Sequence, residues 1–325
     1  MLHSVPLVEV WRGDFLESCH RGHVIVCNFD GEIVQAWGNP NHVILPRSSC
    51  KILQALPLVA SGAADSLGLT TQQLALSCAS HQGAEIHSNL VKSWLKDLRK
   101  TDDDFRCGIQ WPRDTEARNA MIKKDETPCR YHNNCSGKHS GFLTLSAHLG
   151  AGPDYHLPEH PVQKAILNIF EEVTGETSPG YGIDGCSAPN WACTIGGLAS
   201  AMARCAGNSS DILGLASARL RNAMMAHPDL VAGETRACTE LMDAAPGVAL
   251  KTGAEAVFTA IIPSKKMGVA IKIEDGAFRA SEAVITAILI RMGLLNAAHP
   301  AAVRRLGPIS NWDGLQIGSI SVVLD

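Results

Sequence analysis

The sequence predicts an α+β fold in which one antiparallel sheet is built from both chain ends around a helical middle. Three observations predict it. Hairpin-like β patterns stand near each end, a β-branched run closes the chain, and the long segments between them read with helical spacing. The first hairpin joins Val24 to Asn28 and Glu32 to Trp37 through Phe29-Asp30-Gly31, and Asp-Gly is a strong turn signal. The second joins Ala256 to Ile262 and Met267 to Ile273 through Pro263-Ser264-Lys265-Lys266. Gln316 to Asp325 supplies the closing strand.

The helical middle begins at Ser48 to Ala60, apolar at Ile52, Leu53, Ala55, Leu56, Leu58 and Val59, with Pro57 predicting a kink or break. Thr70 to Ala79, Ile86 to Leu98, His139 to Leu149 and Pro161 to Val173 follow with apolar residues on one face. Asn190 to Cys205, Asp211 to Met225 and Ser281 to Leu295 continue the pattern. Gly150 to His160 and Thr177 to Asn190 read as loops. The whole of 1–325 reads as one domain, with a helical subdomain over about 60–240.

Bulk properties narrow the function. Hydrophobic residues at 46% and charged residues at 18% describe a globular protein, not a disordered one. Net charge is -4 and no Lys/Arg cluster lines a helix, which argues against a nucleic-acid surface. No apolar run reaches the roughly 20 residues of a membrane span. The start, Met-Leu-His-Ser-Val-Pro, lacks a basic then apolar signal pattern, which predicts a cytoplasmic protein. In that setting the 11 cysteines read as reduced thiols, most of them small buried hydrophobes.

Three segments carry chemistry. Ser48-Ser49-Cys50-Lys51 is Ser-x-x-Lys, and on a helix residues three apart share a face. Ser48 becomes a nucleophile only if a base takes its proton, and Lys51 is positioned to be that base. Ser80, after a helical pattern, and Lys251-Thr252-Gly253, before a strand, follow in the order seen in serine acyl-transfer enzymes. A second serine–lysine pair of this kind relays a proton to a leaving nitrogen. The third segment is Asn134-Cys135-Ser136-Gly137-Lys138-His139, with Asp184-Gly185-Cys186 beyond it. Two cysteines with nearby Lys, His and Asp suit a borderline-soft cation such as zinc, although no Cys-x-x-Cys is present. A glycine-containing helix entry with buried cysteines explains the same residues. No Gly-x-Ser-x-Gly and no Gly-rich phosphate loop occurs.

Leu45-Pro46-Arg47-Ser48-Ser49-Cys50-Lys51, Cys78-Ala79-Ser80-His81, Asn134 to His139, Asp184-Gly185-Cys186 and Leu250-Lys251-Thr252-Gly253 together resemble the Rhizobium etli-type L-asparaginases, the class 3 or asparaginase II family. Trp37 to Pro40, His227-Pro228, Val231 to Glu234 and Lys272 to Gly276 agree as well, so the resemblance spans nearly the whole chain. It implies a serine-β-lactamase-like fold and hydrolysis of L-asparagine to L-aspartate and ammonia. It implies Ser48 as nucleophile, Lys51 as base, and Ser80 with Lys251 as the second pair. Zinc would sit on Cys135, Lys138 and Cys186 with Asp184 close by, supporting the site's shape rather than activating water. Arg47, His139 and Glu234 are the candidate substrate contacts, and a homodimer is expected. The chain departs from the family at Ile52 and over Ile109 to Pro112. Two other readings compete: a β-lactamase or peptidase with the same Ser/Lys groups, and a zinc-dependent binding protein without turnover.

Overall fold

The computed structural model describes residues 3–324. From the amino end the chain forms β1 (Val5–Arg12), the long β2 (Phe15–Asn28), β3 (Ile33–Trp37) and β4 (Val43–Ile44). A 3₁₀ turn over Arg47–Cys50 leads directly into α1 (Lys51–Ala60). Next come α2 (Ala63–Ser66), α3 (Thr71–Ser77), α4 (Glu85–Asp97), α5 (Thr115–Lys123), α6 (Ser136–His148) and α7 (Pro161–Thr174). The short strands β5 (Tyr181–Ile183), β6 (Pro189–Trp191) and β7 (Cys193–Thr194) precede α8 (Ile195–Ala206). Then follow α9 (Ile212–Ala226), α10 (Pro228–Val231), α11 (Ala237–Ala244) and β8 (Ala249–Thr252). The chain ends with β9 (Val257–Ile262), β10 (Met267–Ile273), α12 (Phe278–Arg291), α13 (Pro300–Leu306), β11 (Ile309–Ser310) and β12 (Gln316–Val322).

The described chain divides into two units, 3–49 with 193–207 and 240–324, and 50–192 with 208–239. The first holds an eight-stranded antiparallel sheet, ordered β11-β12-β1-β2-β10-β9-β8, with β3 also on β2. Both ends of the chain therefore meet in one sheet, as the hairpin patterns predict. All six residues of β9 are buried, so both faces of the sheet are covered there. Helix α8 lies against β10, β2 and β9, while α12 lies against β10, β1 and β9. Gly268 on β10 permits the α8 contact, because a Cβ there would stand 2.4 Å from Ala199 O.

The second unit is built on α1, which packs against α9, α7 and α6. Every α1 residue except Ala60 is buried, Lys51 included. The helix runs unbroken through Pro57, so the expected break does not occur. With only one turn remaining after it, Pro57 forfeits little more than a single backbone hydrogen bond. Helix α6 is buried from Ser136 to Ser146, and glycine lets it approach α3: a Cβ on Gly137 would lie 2.3 Å from Leu76 O.

Two boundaries differ from expectation in a way that matters. The predicted helix over Asn190 to Cys205 starts only at Ile195, because Pro189–Trp191 pairs with β5 and Cys193–Thr194 with β4. Thr194 then caps α8, its hydroxyl accepting from Gly197 N at 2.9 Å. The helix predicted from His139 begins three residues earlier, at Ser136, which places Lys138 and His139 side by side on its first turns. Among the described residues, no helix is long and apolar enough to cross a membrane.

Candidate active site

In the first unit, Ser48 sits half-exposed on the 3₁₀ turn between Arg47 and the buried Ser49. Arg47 adopts the left-handed region at φ 53°, an uncommon state for a side chain of its size that recurs at functional sites. The turn is tied down on both sides. Ser49 Oγ donates to Pro46 O at 2.7 Å, and Thr259 Oγ1 donates to Ser49 O at 3.0 Å. Gly253, the glycine of Lys-Thr-Gly, is pressed against this turn. A Cβ there would stand 2.7 Å from Pro46 O and 2.9 Å from Ser49 N. Lys251 ends up buried on β8, its Nζ donating to Thr252 O at 2.7 Å. The glycine of the motif thus serves the close approach of two backbones, one carrying Ser48 and the other Lys251.

In the second unit, Lys51 opens α1 at 0% exposure, three residues after Ser48 along the chain. Its Nζ donates to Ala79 O and, at 3.1 Å, to Cys135 Sγ. Ser80, next to that carbonyl, is buried, and its Oγ has no partner among the described residues. A buried hydroxyl without a partner is a costly feature to retain and marks a site that ligand or water completes.

Cys135 also hydrogen-bonds Cys186, and Lys138 Nζ lies 3.1 Å from Cys186 Sγ. The hydrogen bond from Cys135 holds the Cys186 thiol well below its ordinary pKa, against burial, with the Lys138 ammonium assisting. Cys135 is pushed up, first by that same bond and then by burial. Burial alone would lower Lys138, but Cys186, Cys135 and Asp184 overcome it and raise its pKa. The result is a buried chain of groups: Lys51 Nζ, Cys135 thiol, Cys186 thiolate, Lys138 ammonium.

Two soft sulfurs and an amine are a donor set that fits zinc once Lys138 gives up its proton. Asp184 does not join them. Among the described residues no three His, Cys, Asp or Glu groups are placed to hold a metal, so a zinc site here needs Lys138 as its third donor.

His139 turns away from this chain. One position along the helix is about 100° of rotation, which sends Lys138 and His139 in different directions. His139 Nδ1 pairs with the Tyr155 hydroxyl at 2.8 Å, and that hydroxyl accepts from Arg106 N. The Tyr155 proton therefore points to Nδ1, leaving Nε2 as the protonated nitrogen, and Nε2 is buried without a partner. Burial holds His139 well below its ordinary pKa. His81 is likewise neutral by burial, and its Nε2 pairs with Ser136 Oγ at 3.0 Å. Nothing in the sequence marks Tyr155, 16 residues from His139 in a loop. The His81–Ser136 contact does join two of the quoted motifs.

Glu234 lies apart from Lys51, Ser80 and the sulfurs within its unit, on a cleft of about 530 Å³ that none of them lines. Gln82, His87 and Arg113 share it.

No curated protein matches the chain. Among solved structures, Mglu in its native form aligns with TM-score 0.50 and 10% identity, covering 86% of this chain and 66% of that one. Mglu in its tris and glutamate form aligns with TM-score 0.51 and 10% identity, covering 89% and 64%. The chain thus spans about two thirds of the length of Mglu, and the likeness is one of fold. A beta-lactamase from Mycobacterium bovis, at TM-score 0.35, 10% identity and coverage of 83% and 94%, is too distant to carry the fold. The L-asparaginase II family matches residues 8–322, nearly every residue described above. The chain belongs to the L-asparaginase II family.

Proposed function

We propose that the protein hydrolyses the side-chain amide of L-asparagine through an acyl-enzyme on Ser48. The observation that carries this reading is Lys51: a wholly buried amine, three residues after an accessible serine on a fixed turn, seated at the carbonyl beside an unpartnered Ser80. Ser48 Oγ attacks the amide carbon while Lys51 Nζ accepts its proton. The C–N bond breaks as Ser80, with Lys251, delivers a proton to the departing nitrogen, and ammonia leaves. Water then attacks the aspartyl ester, its proton passing to the Ser80–Lys251 pair, while Lys51 returns its proton to Ser48 Oγ as the ester bond breaks and L-aspartate leaves. Arg47 and the buried Nε2–H of His139 are assigned to the substrate's oxygens.

Cys135, Lys138 and Cys186 are the residues that would hold zinc. When bound, the ion would supply positive charge that keeps both sulfurs as thiolates. The residues' own part is to fix the Lys51 amine through Cys135.

The test is ammonia release from L-asparagine by wild type and Ser48→Ala, with hydrolysis of a β-lactam measured alongside. Turnover of the amide that disappears in Ser48→Ala is the expected result. An active Ser48→Ala overturns the mechanism. Cleavage of the β-lactam alone transfers the same machinery to another substrate.

A further inference from the structure

The cleft that carries Glu234 has features that the Ser/Lys chemistry does not use. Its volume, about 530 Å³, is ample for a free amino acid, and its walls offer separate partners for opposite charges. Glu234 and Glu116 stand on it as carboxylates, together with the fully buried His87. His87 Nε2 donates to Asp229 O at 2.9 Å, so Nδ1 is a bare acceptor, and it has no partner among the described residues. Burial lowers the pKa of His87, which keeps that lone pair available. An ammonium group is the natural complement.

For an anion the cleft offers Arg113 and the amino end of α4. That helix is 13 residues long and its N-cap, Ala84, provides no side-chain cap; His87 N donates to Ala84 O at 2.9 Å, which leaves the Glu85 and Ile86 N–H groups of the first turn, beside the Glu85 carboxylate.

We infer that this cleft binds the zwitterionic end of a free α-amino acid, with the ammonium held by Glu234 and His87 and the carboxylate by Arg113 and the α4 terminus. The excess of acidic groups disfavours a second carboxylate, so amino acids with neutral side chains bind better than L-aspartate. The cleft is also braced to the catalytic segment. Gln82 O accepts from Arg113 N at 2.7 Å and Asp114 N at 3.0 Å, while Gln82 Nε2 donates to Glu234 O at 2.9 Å. Two residues earlier, Ser80 N donates to Val231 O at 2.9 Å, and His87 stacks on His81 with centroids 4.8 Å apart. An occupied cleft therefore bears on the backbone that positions Ser80.

The test is calorimetric titration of the full chain with L-homoserine, which is close in size to asparagine but has no amide to cleave. Because no bond breaks, the outcome is independent of the amidohydrolase reading. Saturable binding is expected, weakened at least tenfold in Arg113→Ala and in Glu234→Gln and retained in Ser80→Ala. N-acetyl-L-homoserine, which lacks the ammonium, should bind at least tenfold more weakly to wild type. A thermal melt of each variant establishes that it is folded. Absence of saturable binding, or equal binding by wild type and Arg113→Ala, overturns the assignment. Loss of binding in Ser80→Ala alone also overturns it, by locating the ligand with the catalytic groups.

Discussion

Two lysines in the same unit, Lys51 and Lys138, are wholly or almost wholly buried, and each lies 3.1 Å from one sulfur of the Cys135–Cys186 pair. They differ in what else they face. Lys51 meets a backbone carbonyl and an un-ionised thiol, acceptors with no full charge. Lys138 meets the Cys186 thiolate and the field of Asp184, which raise its pKa. A buried lysine held only by neutral acceptors is suited to proton transfer, whereas one locked to an anion is a structural cation. One sulfur pair thus separates a lysine suited to chemistry from a lysine suited to holding the fold or a metal.

The largest expected effect tests the Lys51 side of this contrast. Lys51→Met keeps the volume and removes the amine, and ammonia release from L-asparagine should fall about 10³-fold or more, as for loss of an activating base. Lys138→Met should leave a much larger residual rate. If the two variants lose activity equally, Lys51 has no special standing as the base.

Stability should divide them the other way. Lys138→Met strands a buried thiolate and should lower unfolding free energy by about 3 kcal/mol in urea. Lys51→Met leaves mainly the Ala79 carbonyl unsatisfied and should cost about 1–2 kcal/mol. A larger loss in Lys51→Met would reverse the assignment of charge.

Much of this was legible beforehand, and the rest was hidden for physical reasons. The two hairpins were readable because Asp-Gly and Pro-Ser turns punctuate β-branched runs, and both joined the same sheet. The first strand, Val5–Arg12, did carry a turn signal, Gly13-Asp14 with Gly13 at φ 54°, but its own run is broken by Pro6, Glu9 and Arg12, and it emerged only through its pairing with β2 and β12. Ser48, Lys51 and Ser80 stood out by spacing. The choice between Lys138 and His139 did not, since it depends on where α6 begins, and a three-residue error at that end changes which side chain faces the sulfurs. Arg113 and His87 were invisible as site residues because the cleft is closed by backbone bonds to Gln82, for which no pattern in the sequence stands.

Zinc would sharpen the comparison further, because two sulfurs and an amine at Cys135, Lys138 and Cys186 are a donor set that suits it. Lys51→Met removes only an outer hydrogen bond to Cys135 and should weaken zinc binding about tenfold, measured by competition with a chromophoric chelator. Lys138→Met removes a donor and should weaken it more. Equal losses would mean that Lys138 stays an ammonium beside the metal.

The smallest effect concerns the histidines that flank the two lysines. His81 and His139 are held neutral by burial, each with a pKa well below the ordinary 6.5. Below about pH 6.5 the unfolded chain takes up protons at these positions and the folded chain does not. Acid therefore favours unfolding, and each histidine should add about 1.4 kcal/mol of lost stability per pH unit until its folded pKa is reached. Urea melts between pH 7 and 5 should show that slope. His139→Phe should remove one histidine's share, because Phe cannot be protonated, although it also loses the Tyr155 hydrogen bond at every pH. A slope unchanged in His139→Phe would mean that His139 is protonated in the folded protein, and Nε2–H would then be part of a cation beside Lys138 rather than a neutral donor for substrate.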